Sequence, residues 1–114
     1  MEPTVEQKSF QFAIRIVNLY RHLRLSKKEF VLSKQLLRSG TSIGANIAEA
    51  QQAQSRADFV SKMNIALKET AETDYWMRLL HATEYLSDQE FQSMIVDCRE
   101  IGKMLTAIVK SARK

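Results

Sequence analysis

A chain of 114 residues, 45% hydrophobic and 26% charged, suffices for one buried core and leaves no room for a second domain, so residues 1–114 are expected to fold as one unit without disulfides or metal. One cysteine, Cys98, excludes an intrachain disulfide and suits the reducing cytoplasm, while a formal net charge of +4 is a mild basic bias that raises the expectation of anionic partners only slightly. The opening Met1-Glu2-Pro3-Thr4-Val5-Glu6 has no basic region followed by an apolar run, and no stretch nears the roughly 18 apolar residues of a membrane span, so neither a signal peptide nor a membrane partner is expected.

The only proline, Pro3, precedes the first expected helix, and the three glycines are Gly40, Gly44 and Gly102. An interior so poor in both residues, with no run of alternating β-branched residues, predicts an all-α chain. Four helix-start signals divide it: Thr4 with Gln7, Ser26 with Glu29, Ser55 with Asp58 and Ser87 with Glu90, each resembling a capping box ahead of helical periodicity. The predicted helices are 5–24, 27–53, 56–85 and 88–111. Connections this short force antiparallel neighbours, so the expected architecture is an up-down four-helix bundle.

The first helix carries two apolar stripes, one through Phe10, Ala13, Ile14, Val17 and Tyr20, the other through Phe12, Ile16, Leu19 and Leu23. A bundle helix needs one buried stripe. The second implies either an unusually well-covered helix or a subunit interface. The second helix begins with Phe30, Val31, Leu32, Leu36 and Leu37 and then loses its large side chains between Ser39 and Ala48. A loop through Ser39–Ser42 is one reading. A continuous helix is preferred, because Leu36, Gly40, Ile43, Ile47 and Ala50 keep the helical step. Two glycines, each costing about 1 kcal/mol relative to Ala, then require close approach of a neighbouring helix along Gly40, Ile43, Gly44, Asn46 and Ile47. In the third helix, Trp76 reads as a core or interface anchor, with a base-stacking platform as the minor alternative. The fourth helix holds an a/d seam through Phe91, Met94, Cys98, Ile101, Leu105, Ile108 and Ala112, which makes Cys98 a small buried hydrophobe.

No motif for catalysis emerges. Gly44 is followed by Ala45, so the glycines do not form a phosphate loop. The residues three before His22 and His81 are Leu19 and Arg78, so the Glu-x-x-His motif of a diiron bundle is missing. His81 with Glu84 reads as solvated surface. Glu69 and Glu72, one turn apart, invite an acid–base reading but fit better as surface charges or as acceptors for the small-residue segment of the second helix. No enzyme activity, cofactor, metal or small-molecule substrate is expected.

The basic bias is concentrated in Arg15, Arg21, Arg24, Lys27, Lys28, Lys34 and Arg38, with Glu29 the only acid among them. Several of these should gather where the first two helices meet, either as a phosphate-neutralising patch or as an ordinary solvated turn.

The run from Leu36 to Ala50, Leu-Leu-Arg-Ser-Gly-Thr-Ser-Ile-Gly-Ala-Asn-Ile-Ala-Glu-Ala, resembles the signature of the proteins encoded by intervening sequences in 23S ribosomal RNA genes, also labelled S23 proteins. Asp58-Phe59, Ile65 to Glu69 and Glu72 to Trp76 extend the resemblance over essentially the whole chain. It implies a four-helix bundle that assembles as a ring-like homopentamer. It also implies kinship with the accessory variability determinant of diversity-generating retroelements, a more basic protein that binds a reverse transcriptase and nucleic acid. RNA or an RNA-binding protein is therefore one expected partner, and a second copy of the chain another. A protein-interaction scaffold with no nucleic-acid role is the alternative.

Overall fold

Helix caps written in the sequence fix three of the four helix starts. The structure, a computed structural model, describes residues 2–113. It holds α1 (Val5–Leu25), α2 (Leu32–Ala50), α3 (Arg56–Ala82) and α4 (Asp88–Ala112). Thr4 and Ser87 form complete capping boxes with Gln7 and Glu90. Ser55 accepts from the Asp58 amide, but the shorter Asp58 carboxylate accepts from Gln54, one residue before the cap.

The Ser26–Glu29 signal corrects the expected second helix, which starts at Leu32 rather than 27. Ser26 closes α1, its amide donating to the His22 carbonyl. Lys28 turns into the left-handed region at φ 56°, and the Glu29 amide bonds back to the Leu23 carbonyl at 2.9 Å. The Glu29 carboxylate then accepts from the amides of Val31, Leu32 and Ser33 at 2.6–3.2 Å, and the Ser33 hydroxyl donates to the Glu29 carbonyl. Glu29 is thus the acceptor that starts α2, and Phe30 and Val31 lie in the connection. α2 ends at Ala50 and α3 at Ala82, short of the expected 53 and 85. After α3 the chain turns at Glu84 (φ 68°), and the Tyr85 and Leu86 amides return to the Leu80 carbonyl, which lets Leu86 enter the core.

Residue pairing gives the direction of each helix. Gly40 meets Ile16 and Gly44 meets Ser9, so α2 runs against α1. Ser39 bonds Thr73 and Glu49 pairs with Lys62, so α3 runs against α2. Thr70 accepts from Cys98 while Asp74 pairs with Arg99, and Lys8, Arg15 and His22 face Glu100, Asp97 and Glu90. The bundle is antiparallel and up-down, 45 Å long and about 24 Å wide.

α2 is one continuous helix, with no loop at Ser39–Ser42. Its small polar side chains bond back one turn: Thr41 to Leu37 at 2.7 Å, Ser42 to Arg38 at 2.6 Å and Asn46 to Ser42 at 2.8 Å. Phe12, Ile16, Leu36, Ile43, Ile47, Met77, Leu80, Ile101 and Leu105 fill the core. In α4 the buried seam passes from Leu105 to Val109 instead of Ile108, the drift expected of a straight 3.6-residue helix against a strict heptad.

Candidate nucleic-acid interface

The helical step disperses the basic cluster. Arg15 faces α4, where its guanidinium donates to Asp97 at 2.5 Å and to the Ser93 hydroxyl at 2.6 Å. Arg38 faces α3 and pairs with Glu72 and, at 3.6 Å, with Glu69. Both are engaged by carboxylates of a neighbouring helix, so the expectation of one seven-residue patch is corrected for these two. Arg21, Arg24, Lys27, Lys28 and Lys34 remain, on the last two turns of α1, the connection and the first turn of α2. Among the described residues none of these five forms an ion pair.

The one acid in that stretch is turned away. Glu29 is buried, and burial pushes its carboxyl pKa up, but the amides of Ser33, Leu32 and Val31 outweigh this and hold it below the usual range. It stays ionised and spends its charge on backbone inside the connection, so the outer surface of the turn is cationic. Glu90, in the first turn of α4, is the carboxylate that His22 faces. It accepts from the Ser87 amide at 2.8 Å, which lowers its pKa, and it also feels His22 and Lys27.

Apolar side chains interleave these cations. Leu25, Phe30 and Val31 are 70%, 48% and 71% exposed. The Arg24 guanidinium lies 5.5 Å from the Tyr20 ring centre and 5.8 Å from that of Phe30, within cation–π reach of both. Cations joined to aromatic rings on a bundle end suit contact with phosphates and bases.

The family description that fits this sequence, 23S rRNA-intervening sequence protein, matches residues 1–107. The chain belongs to this family. A crystal structure described as a protein with unknown function from the S23 ribosomal protein family of Bacteroides thetaiotaomicron is 60% identical; the alignment covers 94% of this chain and 99% of that one, with a TM-score of 0.93. No curated protein matches.

In this family member the residues expected to serve packing or assembly divide into two groups. Phe12, Ile16, Leu19, Gly40, Ile43 and Ile47 are buried within the single chain, where they pack helix on helix. The outward stripe of α1 is the other one, with Phe10 65% and Ile14 43% exposed. Beside it Gly44 is part-buried and lines a groove of about 340 Å³ with Ser9, Phe10, Ala13, Thr41 and Ala48; Asn46, also part-buried, bonds within its own helix. Trp76 is part-buried, its indole donating to Glu72 at 2.9 Å and its ring set edge-on to Tyr75 at 5.1 Å, as suits an anchor on α3. That indole, ahead of burial and Arg38, sets the lowered pKa of Glu72.

Sequence reasoning missed Asp74. It bridges Arg78 and Arg99, each at 2.8 Å, beside a hollow of about 580 Å³ between α3 and α4. Burial raises the Asp74 pKa, but the two guanidiniums hold it below the usual range. The Asp74-x-x-x-Arg78 spacing was visible; the partner on α4 was not. Cys98 lies beneath, its thiol donating to the Thr70 carbonyl, its pKa pushed up to about 12 by burial and then by Asp74. A thiol so protonated is no nucleophile at neutral pH. His81 is part-exposed at the surface, where it stacks on Phe91 at 4.3 Å and contacts Asp88 at 2.6 Å. Among the described residues no group of three or more His, Cys, Asp or Glu could hold a metal ion, and no helix is long and apolar enough to cross a membrane.

Proposed function

We propose that the protein is a non-catalytic, homo-oligomeric module that binds RNA, or an RNA-bound partner, through the cationic end formed by Arg21, Arg24, Lys27, Lys28 and Lys34. The observation that carries this reading is the division of charge: Arg15 and Arg38 are neutralised between helices, whereas among the described residues these five form no ion pair, and Glu29 faces inward. Four such cations on phosphate give a log–log salt slope of about −3 to −4. Titration of binding to a structured RNA against salt tests it. An affinity indifferent to salt sinks the mechanism. Replacing Arg21, Arg24, Lys27 and Lys28 by Glu should abolish binding and leave helical content unchanged.

The exposed Phe10 and Ile14 support assembly, because a free monomer gains nothing from keeping them in water. Light scattering at several concentrations measures the copy number, for which the family resemblance implies five. The same two residues favour the second reading, a protein-interaction scaffold. That reading predicts purified protein free of nucleic-acid absorbance and partners that survive nuclease.

A further inference from the structure

We propose that the connection between α1 and α2 is a stacking site for unpaired bases with Phe30 as its platform, so that the ligand class is single-stranded or loop RNA rather than uninterrupted duplex. This rests on the phosphate-binding reading above and specifies what that surface selects.

Phe30 is half exposed on a loop, while Tyr20, a part-buried aromatic on α1, lies on the other side of the Arg24 guanidinium. The Arg24 guanidinium thus places a positive charge within cation–π reach of both rings. The backbone beneath is pinned. Glu29 accepts three consecutive amides, the Ser33 hydroxyl closes back onto the Glu29 carbonyl, and the left-handed Lys28 reverses the chain. The platform is therefore set before any ligand arrives, and binding spends little conformational entropy on it.

An unpaired base stacks on an aromatic ring whatever its identity, while the flanking phosphates meet the cations. Lys27 and Lys28 precede Phe30 in the same loop, and Lys34 opens the next helix, so both elements of that contact are present together. In a closed duplex the base faces are already stacked and Phe30 gains nothing. A lipid surface would also attract the cations, and Leu25 and Val31 would suit insertion. Phe30, however, would drag the Arg24 charge toward hydrocarbon, whereas on RNA that charge lies where phosphate is. The two carboxylates in the first turn of α4 are engaged locally: Glu90 caps its own helix and Asp88 contacts His81.

The test compares full-length wild type, Phe30→Ala and Phe30→Tyr by fluorescence anisotropy against labelled oligouridylate and a blunt RNA duplex of equal length at one salt concentration. Wild type should prefer the unpaired strand. Phe30→Ala should weaken strand binding about tenfold, the loss of one stacked base, with duplex binding, salt slope and circular dichroism unchanged. Phe30→Tyr should restore it. Strand affinity unaltered in Phe30→Ala overturns the stacking site and leaves the phosphate reading standing, as does an equal loss on both RNAs, which makes Phe30 a support for loop shape. Wild type that binds neither RNA overturns both readings. Binding to phosphatidylserine vesicles that depends on Phe30, with no preference for unpaired strand, overturns the RNA assignment in favour of lipid.

Discussion

Gly40 and Gly44 lie on the same helix, one turn apart, yet Gly→Ala should change stability in opposite directions. An added Cβ at Gly40 would come within 2.8–2.9 Å of Cγ1, Cδ1 and Cγ2 of Ile16, a side chain with no solvent exposure. Ile16 is β-branched on a helix, so its χ1 has one comfortable setting and it cannot swing aside. At Gly44 the same Cβ would sit 3.4 Å from the Ser9 carbonyl oxygen, an ordinary contact. Both substitutions gain about 1 kcal/mol of helix propensity. Only Gly40→Ala adds the overpacking cost of about 1–3 kcal/mol. The propensity gain cancels between the two variants, so Gly40→Ala should be about 1–3 kcal/mol less stable than Gly44→Ala, and Gly44→Ala should equal or exceed wild type. Urea unfolding at fixed protomer concentration measures this, with m-values checked for constancy. Adding Ile16→Ala to Gly40→Ala should remove most of the penalty, leaving a favourable coupling. Gly40→Ala as stable as Gly44→Ala, or no coupling to Ile16, would refute the close approach of α1 and α2 at this point.

Glu29→Ala should cost about 0.5–2 kcal/mol, the range for losing a helix N-cap acceptor. Because the folded pKa of Glu29 is depressed, its contribution is fully present above the unfolded carboxyl value of about 4.3 and is lost as pH falls through the lower folded value, so the wild-type and variant denaturation curves should converge in acid. Cys98, buried and with a thiol pKa near 12, should resist thiol reagents at neutral pH and react only after denaturation; rapid labelling of native protein would contradict the packing of α3 on α4. Arg15→Ala and Arg38→Ala should leave the RNA salt slope unchanged, whereas Lys28→Ala should reduce its magnitude by about 0.7–0.9. Phe10→Glu with Ile14→Glu should yield a folded monomer by light scattering whose RNA affinity falls more than any single cation substitution would explain.

The parts of this fold legible in the sequence are those whose determinants sit within one helical turn. Thr4 with Gln7 and Ser87 with Glu90 are contacts three residues apart, and both form as read. The seam of α4 was also local, and it erred only where a strict heptad departs from 3.6 residues per turn. Glu29 was misread because its role depends on the left-handed Lys28 and on the return of its own amide to Leu23, neither of which a Ser-x-x-Glu spacing encodes. The small-residue face of α2 was evident, but which glycine is pressed hardest depends on the register with Ile16, and that is a tertiary fact. The basic cluster failed at Arg15 and Arg38 for the same reason. Their partners are 82 and 34 residues away in the chain, and only helix pairing brings them together.

That loss of two cations sharpens the functional reading. Salt bridges between half-exposed side chains add little stability, so Arg15–Asp97 and Arg38–Glu72 serve chiefly to neutralise these two cations. Arg21, Arg24, Lys27, Lys28 and Lys34 then gather toward one end of a 45 Å rod, while the exposed apolar pair Phe10 and Ile14 lies on its side. In the proposed assembly, copies joined through those sides around an axis parallel to the helices would all direct the same end the same way, because rotation about such an axis preserves direction. Each end contributes a few phosphate contacts and one stacking platform, which is weak alone. Several held on one face act on the same strand at high effective concentration, and linkage of that kind raises avidity by about 10²–10⁴ without any new contact. Two features that look unrelated on one chain, a greasy flank and a charged tip, therefore become one device on assembly, and breaking the flank should weaken RNA binding although no residue there touches RNA.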